Sequence, residues 1–254
     1  MPMQAAAGDL ALVIDDIGYS KHRGLQTLAL PGSFTIAVLP FAPHTQSLVR
    51  SANDRGIDII IHQPMEPQAG PHVRLEADTL RVSMSAAEMN AAFARSLAAV
   101  PQRLGVSNHT GSLFTQHRGH MALLMHQLKA ADLFFLDSRT TAATVAVEVA
   151  EENGVLAMKR DVFLDHTRTA PALARSWAKA LRIARRQGSA ILVGHPYPIS
   201  LKFLAEQLRT LPADINLVGL AELAAKRRAH QTATDPTALA QRPDPADLHI
   251  SLGR

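Results

Sequence analysis

Short apolar runs of strand type alternate with longer stretches of helical period along nearly the whole chain, and this alternation restricts the fold more than any other feature. Strands are expected at Leu10–Asp15, Phe34–Leu39, Ile57–His62, Leu104–Asn108, Leu133–Asp137, Val155–Lys159, Ala190–Gly194 and Ile215–Val218. Most are apolar at successive positions, which marks strands covered on both faces, as in a parallel sheet. A helix is expected at Ser85–Val100, where Ser85 and Glu88 make a capping box. Others fall near Pro43–Arg55, Gln116–Ala131, Thr141–Asn153, Ala170–Gln187, Ser200–Thr210 and Leu220–Ala229. Seven or eight such units predict an α/β fold, a distorted (β/α)7-8 barrel of parallel strands in a single domain over residues 9–229, with an open doubly wound sheet as the runner-up. Residues 1–8 read as an N-terminal extension, and 230–254, with Pro236, Pro243 and Pro245, as a disordered tail.

Composition excludes several classes of function. Apolar residues make up 47% of the 254, enough for a real core, so the bulk is not disordered. Lys+Arg number 26 against 22 Asp+Glu, a formal +4 that calls for no nucleic acid; the one dense basic group, Lys226-Arg227-Arg228, reads as a solvated helix end. With no cysteine there is no disulfide, thiolate ligand or Cys nucleophile, so any metal must be held by His, Asp or Glu. No apolar run is long enough to span a membrane, and Met1–Ala7 lacks the basic and apolar regions of a secretory signal.

In either architecture the working face lies at the carboxyl ends of the strands. There the chain places Asp15-Asp16, His62, Asn108-His109, Asp137-Ser138-Arg139, Arg160-Asp161, Asp165-His166 and His195. Taken singly these residues read as turns, caps or core histidines. Together, at successive strand ends, they point to one site. The other histidines, His22, His44, His72, His117, His120, His126, His230 and His249, fall in expected helices, loops or the tail and are given no role.

An Asp oxygen with two imidazole nitrogens would hold a catalytic zinc and leave a position for water, whose pKa such a metal lowers. Neighbouring carboxylates repel unless one binds a cation, so Asp15-Asp16 makes sense if one ligates and the other takes a proton. Successive strand residues point to opposite sides, so the chain must leave the strand there for both to reach one site. Tyr19 and Tyr197 lie just past strand ends, where their rings read either as loop packing or as flat faces for a bound ligand.

The ordered set Val13-Ile14-Asp15-Asp16-Ile17-Gly18, Ile60-Ile61-His62-Gln63-Pro64-Met65-Glu66-Pro67, Asn108-His109-Thr110-Gly111-Ser112, Phe135-Leu136-Asp137-Ser138-Arg139-Thr140, Arg160-Asp161-Val162-Phe163-Leu164-Asp165 and Gly194-His195-Pro196 resembles the divergent polysaccharide deacetylase family over about residues 9–225. The resemblance implies a metal-dependent hydrolase on a distorted (β/α) barrel that removes acetyl groups from a cell-envelope carbohydrate, periplasmic or secreted, with zinc as the expected cofactor. It implies Asp15 as base, Asp16 and His62 as metal ligands, His195 as acid, and Arg139 or Arg160 as the arginine that orients the base. Where better-studied polysaccharide deacetylases carry a second histidine four residues on, this chain has Glu66. The third ligand is then Glu66, His109 or none, with His109 preferred as an imidazole at a strand end. Asn108, Asp137, Asp161 and Asp165 are expected around the site as substrate-binding or supporting groups, with Asp137 and Asp165 fixing a histidine tautomer. The competing readings are a metal-binding barrel serving as a carbohydrate-binding or scaffold protein without turnover, and a metal-free sugar-modifying enzyme on an open sheet.

Overall fold

The computed structural model describes residues 8–68 and 75–234. In chain order the elements are β1 (Gly8–Ile17), α1 (Lys21–Leu28), β2 (Thr35–Val38), α2 (Thr45–Asn53), β3 (Asp58–Met65), α3 (Ala86–Ala99) and β4 (Gly105–Thr110), followed by a 3-10 turn at Phe114–Gln116. Then come α4 (Arg118–Ala130), β5 (Phe134–Asp137), α5 (Ala146–Glu152), β6 (Ala157–Lys159), β7 (Val162–Phe163), α6 (Ala170–Gln187), β8 (Ser189–Gly194), α7 (Pro198–Arg209), β9 (Ile215–Val218) and α8 (Leu220–Thr234). The strands form one sheet in the order β6-β5-β4-β3-β2-β1-β8-β7, with β9 beside β1 and every pairing parallel. The result is the distorted (β/α) barrel expected from the alternation, in one domain.

Two irregularities shape it. The ten-residue β1 pairs with β8 along one edge and shares the other between β9, at Gly8–Ala11, and β2, from Val13 on. Between β5 and β8 a single extended segment splits: β6 pairs with β5, then β7 with β8. At the split the Asp161 carboxylate accepts the Ile191 amide at 2.8 Å, so this aspartate completes a ladder.

Alternation along the strands sorts side chains into two layers. Leu10, Leu12 and Ile14 pack with Leu28, Leu48 and Met89 under the helices, whereas Ala11 and Val13 join Ala37, Ile60, Phe134, Leu136, Met158, Ile191 and Val193 inside the barrel. From α8, Leu220, Leu223 and Ala224 join that inner cluster at the end where β1 begins. The basic triplet lies inside α8 and not at its end: Lys226 and Arg228, both exposed, pair with Asp9 and Glu222 and with Asp132, and half-buried Arg227 donates to Ser189.

Boundaries differ by a few residues, as expected where helices fray. The capping box of Ser85 and Glu88 is formed. Helix α1 has no counterpart among the expected elements, because Lys21-His22-Arg23-Gly24 lacks an apolar stripe; it is started by the Ser20 side chain accepting from the Arg23 amide. Helix α8 continues to Thr234, past the limit expected at residue 229. The rest of the expected tail, residues 1–7 of the extension, His72 and His249 lie outside the described residues. Among the described residues no helix is long and apolar enough to cross a membrane.

Gly18 sets the direction in which the chain leaves β1. Its φ of +136° is one that side-chain-bearing residues rarely adopt, and a Cβ there would lie 2.6 Å from Ala42 Cβ and Thr45 Oγ1. Gly18→Ala is expected to lower the unfolding free energy by about 1–3 kcal/mol in urea titrations. An unchanged midpoint would show that the turn can relax.

Candidate metal centre and active site

The alternation that fills the barrel also aims its mouth. Asp15 is the next inward position after Val13, His62 after Ile60 and His195 after Val193; on β4, His109 follows Ser107, whose hydroxyl meets His62 Nδ1 at 2.8 Å. Asp16 falls on the opposite parity and would face the helices if β1 stayed regular. Instead the β1–β2 register slips by one residue between Ile14 and Ile17, a β-bulge, and Asp16 adopts φ +58°. Both aspartates therefore reach the same histidine, His62 Nε2 lying 3.6 Å from Asp15 Oδ2 and 3.3 Å from Asp16 Oδ1. Thr110 (φ +54°), the last residue of β4, and Arg139 (φ +51°), just past β5, hold the same left-handed conformation, so backbone strain gathers at this mouth.

His109 Nδ1 lies 3.0 Å from Asp16 Oδ1, and one ligand atom from each of Asp16, His62 and His109 falls within 4.8 Å of the others. Tetrahedral bonds of about 2.0–2.2 Å would put neighbouring ligand atoms about 3.3–3.6 Å apart, so the spacing suits one small cation. A second observation agrees. Asp15 Oδ1 and Asp16 Oδ1 are buried without an aligned hydrogen bond, although two imidazole nitrogens stand beside the latter. One carboxylate with two imidazoles is a donor set that a divalent cation fits.

Electrostatics follow from burial and crowding. Burial raises the Asp15 pKa, more than the histidines beside it can lower it. For Asp16 burial pulls the same way but is outweighed by His109 and His62, which hold its carboxyl well below the usual range. His109 is pushed up to about 10, since Asp16 and Glu76 overcome the burial that would lower it. A bound cation would take the place of that imidazole proton.

His195 is fixed from three sides. Its Nδ1 meets Asp165 Oδ1 at 2.9 Å and its amide donates to Asp165 Oδ2, which also accepts from Ser200 Oγ at 2.7 Å. The ring sits between the Phe163 edge at 5.1 Å and the Tyr197 ring at 5.5 Å, leaving Nε2 3.7 Å from Asp16 Oδ2. Its pKa is raised: burial lowers it, but Asp165 and then Asp16 prevail.

The two arginines separate. Arg160, half-buried, donates to the Ser138 and Arg139 carbonyls, lies 4.8 Å over Phe163 and interacts electrostatically with Asp15. Arg139 is exposed and makes no side-chain hydrogen bond among the described residues.

Several expected residues serve the scaffold instead. Glu66 is not in the ion-holding group: its carboxylate accepts from the Val82 amide at 2.7 Å and its carbonyl takes the Leu113 and Phe114 amides, because β3 runs on past His62. Asp137 fixes no histidine; it shares the parity of Phe135, on the helix side, and accepts from the Arg139 amide and Thr144 Oγ1. Asn108 donates to the Thr110 carbonyl and accepts from the Ser138 amide, bracing the β4 and β5 loops.

Sequence reading missed Glu76. Its Oε1 lies 3.4 Å from His109 Nε2 and accepts from Tyr19 OH at 2.8 Å, so it sets which ring nitrogen of His109 faces Asp16. It lies on the segment between β3 and α3, which has no periodicity of its own to place it.

The chain resembles YibQ of Escherichia coli K12, at 38% identity over 85% of this chain and 67% of that protein. Among solved structures, ATU2773 from Agrobacterium tumefaciens C58 aligns with TM-score 0.82 and 25% identity over 87% of this chain and 90% of that one. The peptidoglycan deacetylase PdaC from Bacillus subtilis aligns with TM-score 0.51 and 12% identity over 89% and 95%, a likeness of fold alone. The model of the divergent polysaccharide deacetylases matches residues 12–224, and to that family this chain belongs.

Proposed function

We propose that the protein is a metal-dependent hydrolase that removes acetyl groups from a carbohydrate of the cell envelope, periplasmic or secreted. The observation that carries the reading is the meeting of Asp16, His62 and His109 at the barrel mouth with Asp15 and His195 beside them. Asp16, His62 and His109 would hold the cation, zinc by the donor set. When bound, it would supply a Lewis acid that polarises the acyl carbonyl and makes water more acidic.

The rest is the work of side chains. Asp15, buried and with a raised pKa, takes the proton from the attacking water. Arg160 holds charge beside it from a fixed position. His195, held by Asp165 through Nδ1, keeps Nε2 toward the centre and donates a proton to the departing amine or hydroxyl. His62 and His109 each present one nitrogen to the centre because Ser107 and Glu76 engage the other.

Metal analysis of the purified protein and an acetate-release assay on N-acetylglucosamine oligomers and peptidoglycan fragments test this. About one equivalent of zinc per chain and chelator-sensitive release are expected. Zinc bound without release would make the protein a binding module; release that chelators leave untouched would remove the metal from the chemistry.

A further inference from the structure

We propose that the exposed face of α6 is a docking surface for the anionic headgroups of a lipid bilayer. Arg175, Lys179, Arg182 and Arg186 follow one another at spacings of four, three and four residues. At about 3.6 residues per turn this holds them within an arc of about 60° and along a line about 16 Å long. All four are exposed. The other side of the helix, with Leu173, Trp177, Ala180, Leu181 and Ala184, is buried against the barrel, so the basic line is the side turned to solvent.

The charge is concentrated and unopposed. With Arg185, α6 carries five Lys and Arg and no Asp or Glu, a formal +5 in a chain whose total is +4, so everything outside this helix sums to −1. Arg185 leaves the line to pair with Asp214; the other four side chains make no hydrogen bond or ion pair among the described residues. Like charges three and four residues apart repel and weaken a helix. Attraction to the helix's carboxyl end accounts for Arg185 and Arg186 in the last turn, but it fades within that turn and leaves Arg175 and Lys179 unexplained. A negative surface laid along the line relieves the repulsion at all four positions at once. On the adjoining α7, joined to α6 by the Trp177 and Phe203 rings at 6.3 Å, exposed Lys202, Glu206 and Arg209 add one further positive charge.

The kind of partner follows from what this face lacks. Among the described residues the exposed large apolar side chains are Tyr19, Leu25, Phe41, Leu104 and Ile199, and none lies on α6. A protein interface is built round buried aromatic or aliphatic anchors and is poor in lysine, so an acidic protein would find no core here. A convex helix without a ring to stack on suits single-stranded nucleic acid no better. Lipid headgroups need only the charge: each Lys or Arg near an anionic bilayer adds attraction, and guanidinium groups meet phosphate oxygens in pairs. Exposed Arg168, in the loop before α6, extends the line to the barrel mouth, its guanidinium 4.8 Å over the Tyr197 ring. The docked molecule would lie on its side, α6 down, with the mouth at the edge of the contact. No group of the metal centre lies on α6, so the surface stands or falls apart from the deacetylase reading.

Flotation of the protein with vesicles of phosphatidylcholine alone, or with about one third phosphatidylglycerol, tests the surface. Binding is expected to the anionic vesicles only, at about 50 mM salt, and is expected to be lost near ~0.5 M, where charges are screened beyond a few ångströms. Lys179→Ala with Arg182→Ala should weaken it about tenfold or more, at roughly fivefold per charge, and Lys179→Glu with Arg182→Glu should abolish it. These side chains are exposed and unpaired, so the unfolding midpoints should hold. Arg50→Ala with Lys129→Ala removes the same charge from exposed positions on α2 and α4 and should leave binding within about threefold. No binding to anionic vesicles at low salt, equal binding to neutral ones, an α6 alanine pair that binds as the wild type does, or equal damage from the control pair would each overturn the docking surface. Retention on immobilised polyglutamate without vesicle binding would also overturn it, and would assign the line to an acidic protein.

Discussion

Asp15→Asn is expected to reduce acetate release by about a hundredfold or more, at least ~2.7 kcal/mol of transition-state stabilisation, with zinc still bound. The amide matches the carboxylate in shape but cannot take a proton. Asp15 is buried, its pKa is raised chiefly by burial, and Oδ1 has no hydrogen bond, so a neutral side chain there should not weaken the fold. Lower activity with equal or greater resistance to urea is therefore the combined result to look for. His195→Ala should cost turnover on the same scale, again with metal retained, because the ring is not one of the three converging groups. Turnover within a few-fold of wild type in both variants would remove Asp15 as base and His195 as acid.

Asp16→Asn is expected to do something different: lower zinc affinity by more than about a hundredfold, beyond the 10–100-fold typical of losing an outer partner of a ligand, and abolish activity with it. Asn is the right replacement because Asp16 sits at φ +58°, a conformation that Asn tolerates and Ala does not. The fold is thus kept while the only carboxylate among the three converging groups is lost. Competition with a chromophoric chelator reads the affinity directly. Wild-type affinity in this variant would show that the cation, if bound, sits elsewhere.

The barrel itself was legible from the sequence because parallel strands covered on both faces must be apolar at successive positions, and helices between them must carry a stripe. Most of the mouth was legible too. Asp15, His62, His109 and His195 each continue the inward column of their strand, and the side-chain period of two carries that direction straight to the strand end. The same rule, read further, would have sent Asp137 outward with Phe135 and away from any histidine, where the structure has it. Elements with little local signal escaped: α1, with its polar first turn, and the two-residue β7, whose pairing with β8 depends on the curvature of the sheet.

Strand periodicity alone, then, determined that acids and imidazoles would crowd one end of a parallel barrel, since a strand's pleat is a local property of the chain. Tertiary structure decided which of them meet. It turned Asp16 inward through a bulge against β2, left Glu66 holding the Val82 segment, and brought Glu76 to His109 across a stretch without periodicity. Bulges and loop contacts depend on partners distant in sequence, and no local pattern encodes their positions.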